Sequence, residues 1–249
     1  MLRSVAIDCR RRDAYARAFV DALRRLGLDV REQLSPWRLW RDRPDVVHGL
    51  DGVLPPWRRS PGVVTVWRER WEPSNAELIV CPSAWLAGEL GGRPGVDPAR
   101  LRVVPFAPAL PVGTDPPPAS GLYVLALADV GLDRDDVVVD RAPSDALLRG
   151  AAVLVHPGRR DAAGLVALEA MTRGVPVVAA RAGALPEIGG DAPVFVDTAQ
   201  ELPAAIERAL AERERLAAAG RERAALYTWD ATAQAMILVY RELWGGPLA

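Results

Sequence analysis

The chain lacks lysine entirely, so all 31 of its basic residues are arginines. It also lacks any apolar run near the ~20 residues that cross a bilayer, so no membrane-spanning helix is predicted. Its two cysteines, Cys9 and Cys81, lie in or beside apolar strand-like runs and are predicted to be reduced, packed thiols. The N-terminus places its apolar residues before its charges, the reverse of a secretory signal, which predicts a cytoplasmic protein.

Half of the 249 residues are apolar, which is enough for a sizeable core and for two domains of ordinary size. The formal net charge of −1 is unevenly distributed along the chain. Residues 1–107 contain 18 arginines and 13 acidic residues, whereas residues 108–249 contain 13 arginines and 19 acidic residues. The first half is therefore expected to face an anionic partner more readily than the second.

Short apolar runs alternate with stretches of helical periodicity, a pattern typical of parallel sheets wrapped by helices. The Pro- and Gly-rich stretch 108–120 predicts a linker between an N-terminal Rossmann-like domain (1–107) and a C-terminal one (121–228), and a final helical segment occupies 229–249. Ligands of open parallel sheets bind outside the carboxyl ends of the strands. We therefore expect a site in a cleft between the two domains.

The segment DAAGLVALEAMTRGVPVVAARAGALPEIGG (161–190) carries two acids eight positions apart, Asp161 and Glu169. A predicted strand leads into a loop of small residues, and a helix begins near Leu165. The amides and the positive dipole end of a helix N-terminus suit a phosphate, and Glu169 is placed to accept hydrogen bonds from ribose hydroxyls. An ordinary α/β crossover has the same pattern, with the acid only favouring the helix dipole. On the residues alone, both interpretations stand.

Residues 151–243 resemble the C-terminal half of the retaining, nucleotide-sugar-dependent glycosyltransferases of group 1. The resemblance rests on AAVLVHPGRRDAAGLVALEAMTRGVPVVAARAGALPEIGGDAPVFVD and on RERAALYTWDATAQAMILVYREL. Family members carry two glutamates in an E-x7-E arrangement around a Gly-Phe-Gly loop, followed by Glu-Ala-Met, Gly-x-Pro-Val and Gly-Gly-x-Pro-Glu. The resemblance implies the α/β GT-B fold, in which two Rossmann-like domains with parallel sheets face a central cleft and the last helix crosses back onto the first domain. It also implies a nucleotide-diphospho-sugar donor, without a metal or a further cofactor.

The resemblance implies roles for individual residues as well. Glu169 matches the glutamate that binds the donor's ribose, and Asp161 stands where the first glutamate meets the hydroxyls of the donor sugar. His48, in RPDVVHGLDG, resembles a strand end whose loop reaches the cleft, so Asp161 and His48 are the predicted catalytic residues. The other predicted donor-binding residues are Ala162, Ala163, Gly164 and Leu165 of the loop, whose amides meet the diphosphate, and Glu187 of the later turn. The alternative is that His48 only closes a strand end and that Glu187 only caps a helix.

Three departures from the family pattern count against ordinary activity. Asp161 is one methylene shorter than glutamate, which withdraws its carboxylate by about 1 Å from a bound sugar, and its loop lacks the Phe and one Gly. No lysine can complete the Arg–Lys pair that family members place on the diphosphate, and the loop, helix and strand that usually follow the first strand of the C-terminal domain are missing. The Gly-rich turn after the first strand of the chain is replaced by CRRRD. Arg10, Arg11, Arg12 and Arg134 are the predicted replacements for the lost pair, with a solvated basic loop as the alternative for the first three.

The stretch 36–71 mixes five tryptophans with seven arginines. Trp beside Arg can bind lipid headgroups at a membrane or stack on the sugar rings of an acceptor. Alternatively, these side chains only pack against the rest of the protein. A net charge near zero and the lack of a recognised motif argue against a nucleic-acid partner. The acidic clusters DRDD (133–136) and DRPD (42–45) have no His or Cys partners, and we predict turns there rather than metal sites.

The sequence therefore predicts a retaining glycosyltransferase that moves a sugar from a nucleotide-diphospho-sugar to a lipid-linked or saccharide acceptor. The protein is expected in the cytoplasm, with peripheral contact between the Trp/Arg-rich stretch and an anionic membrane. Two alternatives stand. One is a catalytically inactive relative that binds a sugar, a lipid or a partner enzyme, and the other is an unrelated α/β enzyme such as an epimerase of nucleotide sugars.

Overall fold

The computed structural model describes residues 3–8, 13–32, 39, 41–55, 58–69, 71, 75–110 and 123–244. The chain divides into two compact units. The first comprises Met1–Phe106 together with Thr228–Ala249, and the second comprises Ala107–Tyr227. Each unit contains one sheet whose strands all run parallel, so the predicted α/β class with two parallel sheets is confirmed.

The strands and helices of the described residues are numbered in chain order. The strands are β1 (Ser4–Asp8), β2 (Asp29–Glu32), β3 (Val46–Gly49), β4 (Gly62–Thr65), β5 (Leu78–Cys81), β6 (Leu101–Val103), β7 (Tyr123–Ala126), β8 (Val137–Val139), β9 (Ala151–His156), β10 (Val177–Ala180) and β11 (Val194–Val196). The α-helices are α1 (Ala14–Arg25), α2 (Ala84–Gly91), α3 (Asp145–Gly150), α4 (Leu165–Thr172), α5 (Leu185–Gly189), α6 (Leu202–Ala211), α7 (Arg213–Ala224) and α8 (Trp229–Leu243). Short 3₁₀ turns lie at Pro98–Arg100 and Ala199–Glu201.

The first unit is built on a six-stranded sheet in the order β2-β1-β3-β4-β5-β6. Helix α1 begins after Asp13, whose carboxylate accepts a hydrogen bond from the amide of Ala16 at 2.9 Å, a normal N-cap. The chain turns out of α1 at Gly27, whose φ of 86° favours glycine. Helix α8 belongs to this unit, where it packs on α1 and the hydroxyl of Thr232 donates to the carbonyl of Pro105 at 2.8 Å.

Cys81, at the end of β5, is a free and buried thiol, as predicted. Its burial raises the pKa of the thiol to about 12, because the charged thiolate is poorly solvated in an apolar surrounding. Cys9 lies outside the described residues. Within the part of the chain that the structure describes, Cys81 is therefore a packing residue and not a nucleophile.

The second unit has a five-stranded sheet in the order β11-β10-β9-β7-β8. Alternate residues along its strands enter two separate cores. One core joins side chains such as Leu125 and Leu154 to helices α3, α4 and α5, and the other joins Val124 and Val155 to α6. Because helices cover both faces, the strands are apolar throughout, as is typical of buried parallel sheets. The loop that leaves the carboxyl end of β9 carries Asp161, Ala162, Ala163 and Gly164 of the predicted site, and the turn after β10 leads to Glu187.

Candidate functional site

The loop between β9 and α4 is organised by Asp161. One carboxylate oxygen, Oδ1, accepts hydrogen bonds from the amides of Ala163 and Gly164 at 2.8 and 2.6 Å. The other, Oδ2, lies 2.8 Å from Nε2 of His156, the last residue of β9. Gly164 has a φ of 62° and immediately precedes α4. Three donors therefore converge on a carboxylate whose side chain keeps only 21% of its surface exposed.

The Asp161 carboxyl ionises readily in this setting. Burial alone would raise its pKa, but the hydrogen bond and charge of His156 and the amide hydrogen bonds of Gly164 and Ala163 outweigh that effect, and the pKa lies below its usual value. The loop thus holds a fixed negative charge beside the N-terminus of α4. In this arrangement, two of the loop amides that we predicted for the diphosphate already donate to Asp161.

The turn between β10 and α5 packs directly against this loop. The amide of Ala184 donates to the carbonyl of Asp161 at 2.8 Å. Gly183 has a φ of 64°, and a Cβ at this position would lie 2.7 Å from the Asp161 carbonyl oxygen, so only glycine fits. Glu187 lies in the first turn of α5 and is half-buried. The structure therefore brings the Asp161 loop and the predicted Glu187 turn together within the second unit.

Glu169 has a different environment, because its side chain is buried in an ionic cluster. One carboxylate oxygen accepts hydrogen bonds from the amides of Ala109 and Leu110 at 2.6 and 2.9 Å. The other lies 2.7 Å from Nη1 of Arg173, and only 1% of the Glu169 side chain is exposed. The fully buried Arg173 guanidinium also binds a carboxylate oxygen of Asp145 at 2.8 Å. The carboxylate predicted to hold the ribose is thus occupied by groups of the chain itself.

Arg134, a predicted phosphate ligand, lies three residues before β8 and so near the amino end of that strand. Its guanidinium makes hydrogen bonds of 2.8 and 2.9 Å to the carboxylate of Asp136, and it also contacts Glu207 of α6. The hydrogen bond to Asp136 raises the pKa of Arg134, burial opposes this, and Glu207 adds to it. Since ligands of parallel sheets bind at the carboxyl ends of the strands, this position does not favour Arg134 as a phosphate ligand. Arg10, Arg11 and Arg12 lie outside the described residues.

Residues 139–224 match the model of the family described as "Glycosyl transferases group 1". The matched segment contains β9, the Asp161 loop, α4 and the turn at Glu187. Through this segment the chain is similar to the group 1 glycosyltransferases.

Curated proteins that are similar to this chain have glycosyltransferase names. It is 40% identical over 109 residues to the D-inositol 3-phosphate glycosyltransferase of Segniliparus rotundus, which aligns 41% of this chain with 24% of the relative. It is 35% identical over 195 residues to the enzyme of the same name from Saccharomonospora viridis, which aligns 74% of this chain with 43% of the relative. The chain thus spans less than half the length of these relatives.

Among solved structures, the chain resembles a glycosyltransferase from Rickettsia africae. The TM-score is 0.72 at 10% sequence identity, and the alignment covers 99% of this chain and 100% of that one. At this identity, the likeness establishes the fold and nothing more. The chain has the predicted GT-B fold.

His48 lies in β3, and its side chain is completely buried. Its Nδ1 lies 2.6 Å from the hydroxyl of Tyr240 in α8, and its Nε2 lies 2.8 Å from the hydroxyl of Thr65. Burial lowers the pKa of His48 to about 3, so the ring is neutral at physiological pH. In this structure, the ring cannot meet a substrate without leaving both partners, and its catalytic role stays a prediction.

The Trp/Arg-rich stretch is only partly described, since Trp37, Trp40 and Trp57 lie outside the described residues. The indole N–H groups of Trp67 and Trp71 donate to the carbonyls of Leu50 and Gly52 at 2.6 and 2.8 Å. These two side chains pack within the first unit, so this part of the stretch does not support the predicted membrane contact. Among the described residues, no helix is long and apolar enough to cross a membrane, and no three His, Cys, Asp or Glu side chains gather as a metal site would require.

Two residues of the site were not predicted, although each left a signal in the sequence. Arg173 follows Glu169 by four positions on the same helix, which is the spacing of a stabilising ion pair. His156 precedes Asp161 by five positions and ends a strand, where loops that carry functional groups begin. Nothing in the sequence shows that the loop folds Asp161 back onto the ring of His156.

Proposed function

We propose that the chain is a retaining glycosyltransferase that uses a nucleotide-diphospho-sugar. The observation that carries this proposal is that the group 1 match falls on the strand–loop–helix segment with the geometry of an anion cradle. A helix N-terminus preceded by a left-handed glycine offers backbone amides and the positive end of a dipole to a phosphate. The acceptor is a sugar or a lipid-linked sugar.

In the proposed reaction, the diphosphate leaves from the same face of the donor sugar that the acceptor attacks. The protein supplies positioning and charge stabilisation rather than a nucleophile. Since Ala163 and Gly164 donate to Asp161, the diphosphate is left with the amides from Leu165 onwards in α4. Asp161 meets the hydroxyls of the sugar through the part of its carboxylate that stays exposed. The site needs no metal ion in this scheme.

Ribose binding by Glu169 requires a rearrangement. Its carboxylate accepts from the amides of Ala109 and Leu110, and Arg173 also donates to the carbonyl of Leu110 at 3.0 Å. The segment at 109–110 must release the carboxylate before ribose hydroxyls can replace its amides. Donor binding is therefore coupled, in this proposal, to a movement of that segment.

The second candidate function is a catalytically inactive, glycosyltransferase-like binding protein. The buried state of Glu169 favours it, because a carboxylate with 1% exposure and an arginine partner is typical of a structural ion pair. The three donors already bound to Asp161 favour it as well. In this alternative, the segment 161–169 keeps the shape of the family's site without its reactivity.

The deciding experiment is calorimetric titration of the chain with UDP, GDP and ADP and with their sugar conjugates. Gly164→Ala tests the cradle, because Gly164 has a φ of 62° and an added Cβ would lie 3.0 Å from Ile188. Gly174→Ala is the matched control after the other end of α4. Its φ is 69°, and its Cβ would meet only movable side chains, mainly that of Arg221. Both variants carry the same left-handed backbone cost of roughly 1–2 kcal/mol.

We expect micromolar binding of one nucleotide, retained in Gly174→Ala and weakened at least about tenfold in Gly164→Ala. The nucleotide that binds then selects the donors for a transfer assay with saccharide acceptors. Equal affinities in the two variants would remove the cradle from the proposal. Binding of a donor without turnover of any acceptor would favour the inactive alternative.

A further inference from the structure

His156 is a buried polar side chain that the proposed reaction does not use. It ends β9, the middle strand of the second sheet, and its side chain is 7% exposed. Its Nε2 lies 2.8 Å from Oδ2 of Asp161. Its Nδ1 is buried and has no hydrogen-bond partner within the described part of the chain. A buried ring with only one of its nitrogens paired calls for an explanation.

The hydrogen bond to Asp161 determines which nitrogen carries the proton. An ionised carboxylate can only accept, and the pKa of Asp161 lies below its usual value, so Nε2 of His156 must be the donor. Nε2 of His156 is therefore the ring nitrogen committed to Asp161, and Nδ1 stays buried without a partner within the described part of the chain.

The loop geometry depends on this bond, because it holds one of the two oxygens of Asp161. The other oxygen holds the amides of Ala163 and Gly164, and Gly164 leads directly into α4. If Oδ2 were released, the carboxylate could rotate and carry both amides with it. Gly158 leaves room for the His156 ring in the orientation that bonds to Asp161. A Cβ at position 158 would lie 3.0 Å from Cε1 of this ring and 3.3 Å from its Nδ1, so a larger residue would crowd it.

We propose that His156 is a positioning residue, which orients Asp161 and thereby holds the loop 161–164 in the shape that presents the start of α4 to the donor. This inference rests on the proposed function for its purpose, but the positioning itself can be measured without any donor. It also gives the short acid at position 161 a role, because a carboxylate of this length can bond to the loop amides and to His156 at the same time.

The test uses two substitutions of His156 that differ in one property. His156→Gln keeps an N–H donor near the position of Nε2, whereas His156→Leu removes the donor and fills the space with an apolar group. Hydrogen exchange of the Ala163 and Gly164 amides measures how well the loop 161–164 is held. Nitrogen NMR identifies which ring nitrogen of His156 carries the proton. The chain has only two histidines, so a spectrum of His48→Gln assigns the signals. Gly158→Ala, which pushes the ring without changing it, is the third variant.

We expect the Nε2-protonated tautomer in the unmodified chain. Exchange of the two amides should accelerate at least about tenfold in His156→Leu, clearly in Gly158→Ala, and by less than about threefold in His156→Gln. Nucleotide affinity should follow the same order. Equal acceleration in the Gln and Leu variants, or none in either, would overturn the inference, because simple packing at a strand end does not need the donor. If no nucleotide binds but the exchange rates follow this order, the proposed function fails and the positioning role stands.

Discussion

The two units hold their buried polar groups by different means. In the first unit, His48 is neutral, and both of its ring nitrogens are paired with the hydroxyls of Tyr240 and Thr65. In the second unit, Glu169 and Arg173 form a buried ion pair, which backbone groups and Asp145 complete. Removing one partner from a neutral network lowers the free energy of unfolding by less than removing one from an ionic network. A neutral network that contains a histidine is, however, destabilised by acid. An ionic network leaves an uncompensated charge when one partner is removed.

The same contrast separates the two predicted acids of the site. Asp161 is partly exposed and is held by two backbone amides and by His156, so part of its side chain stays accessible to a ligand. Glu169 is buried and is held by a permanent cation. The difference indicates that Asp161 organises a surface loop, whereas Glu169 ties the segment at 109–110 to α4. Two substitutions and one pH titration test whether the two networks contribute differently to the free energy of unfolding.

The largest effect is expected from Arg173→Ala. This change leaves the buried carboxylate of Glu169 without its cation, which typically costs about 3–5 kcal/mol, whereas the partly exposed Asp145 keeps its ion pair with Arg149. Urea unfolding of the second unit should show this loss in the free energy of unfolding. Arg208→Ala is the control, because its ion pair with Glu212 has the same spacing but is exposed, and about 0.5 kcal/mol or less is expected. Similar losses in the two variants would mean that burial adds nothing to the Glu169 pair.

A smaller effect is expected from Tyr240→Phe in the first unit. The ring of Tyr240 stays, but Nδ1 of the buried His48 loses its partner, which costs roughly 1–2 kcal/mol. Tyr227→Phe provides the comparison in the second unit, where the hydroxyl bonds to Arg223 and to the carbonyl of Ile188. Because Tyr227 is not fully buried, water can replace its hydroxyl there. If Tyr240→Phe lowered the free energy of unfolding as much as Arg173→Ala does, the distinction between neutral and ionic networks would be contradicted.

The smallest effect is a pH dependence carried by His48. Its pKa is about 3 in the folded protein, against about 6.5 in an unfolded chain, so the unfolded state takes up the proton first as the pH falls. Its stabilising contribution is complete above pH 6.5 and is lost progressively between pH 6.5 and pH 3. From pH 7 to pH 6, the loss should be roughly 0.7 kcal/mol.

This loss is obtained by measuring the free energy of unfolding of the unmodified chain and of His48→Gln at both pH values. The difference between their pH dependences isolates His48 from His156 and from the carboxylates. Parallel curves for the two proteins would mean that His48 is already exposed or protonated in the folded state, against the structure.

Much of the second unit could be predicted from local sequence. The apolar run that ends at His156 predicts a buried strand, and the small residues that follow predict a loop before a helix near Leu165, as the structure has them. Helix α8, Trp229–Leu243, begins where the predicted final segment, 229–249, begins. The partners of Glu169 could not be predicted in the same way. The amides of Ala109 and Leu110 lie about sixty positions earlier in the chain, and no local pattern links them to an acid on a helix.

The sequence alone specified the α/β class, the two parallel sheets and the family-like segment, because apolar periodicity and motif spacing are local properties. Only the tertiary structure decided what each candidate group faces. In the structure, His48 is buried between two hydroxyls, and Arg134 lies near the amino end of β8. Glu169 forms an ion pair with Arg173, and Asp161 forms a hydrogen bond with His156. The physical reason is that charge state, access and hydrogen-bond partners depend on groups brought together from distant parts of the chain, whose positions follow from packing and not from spacing.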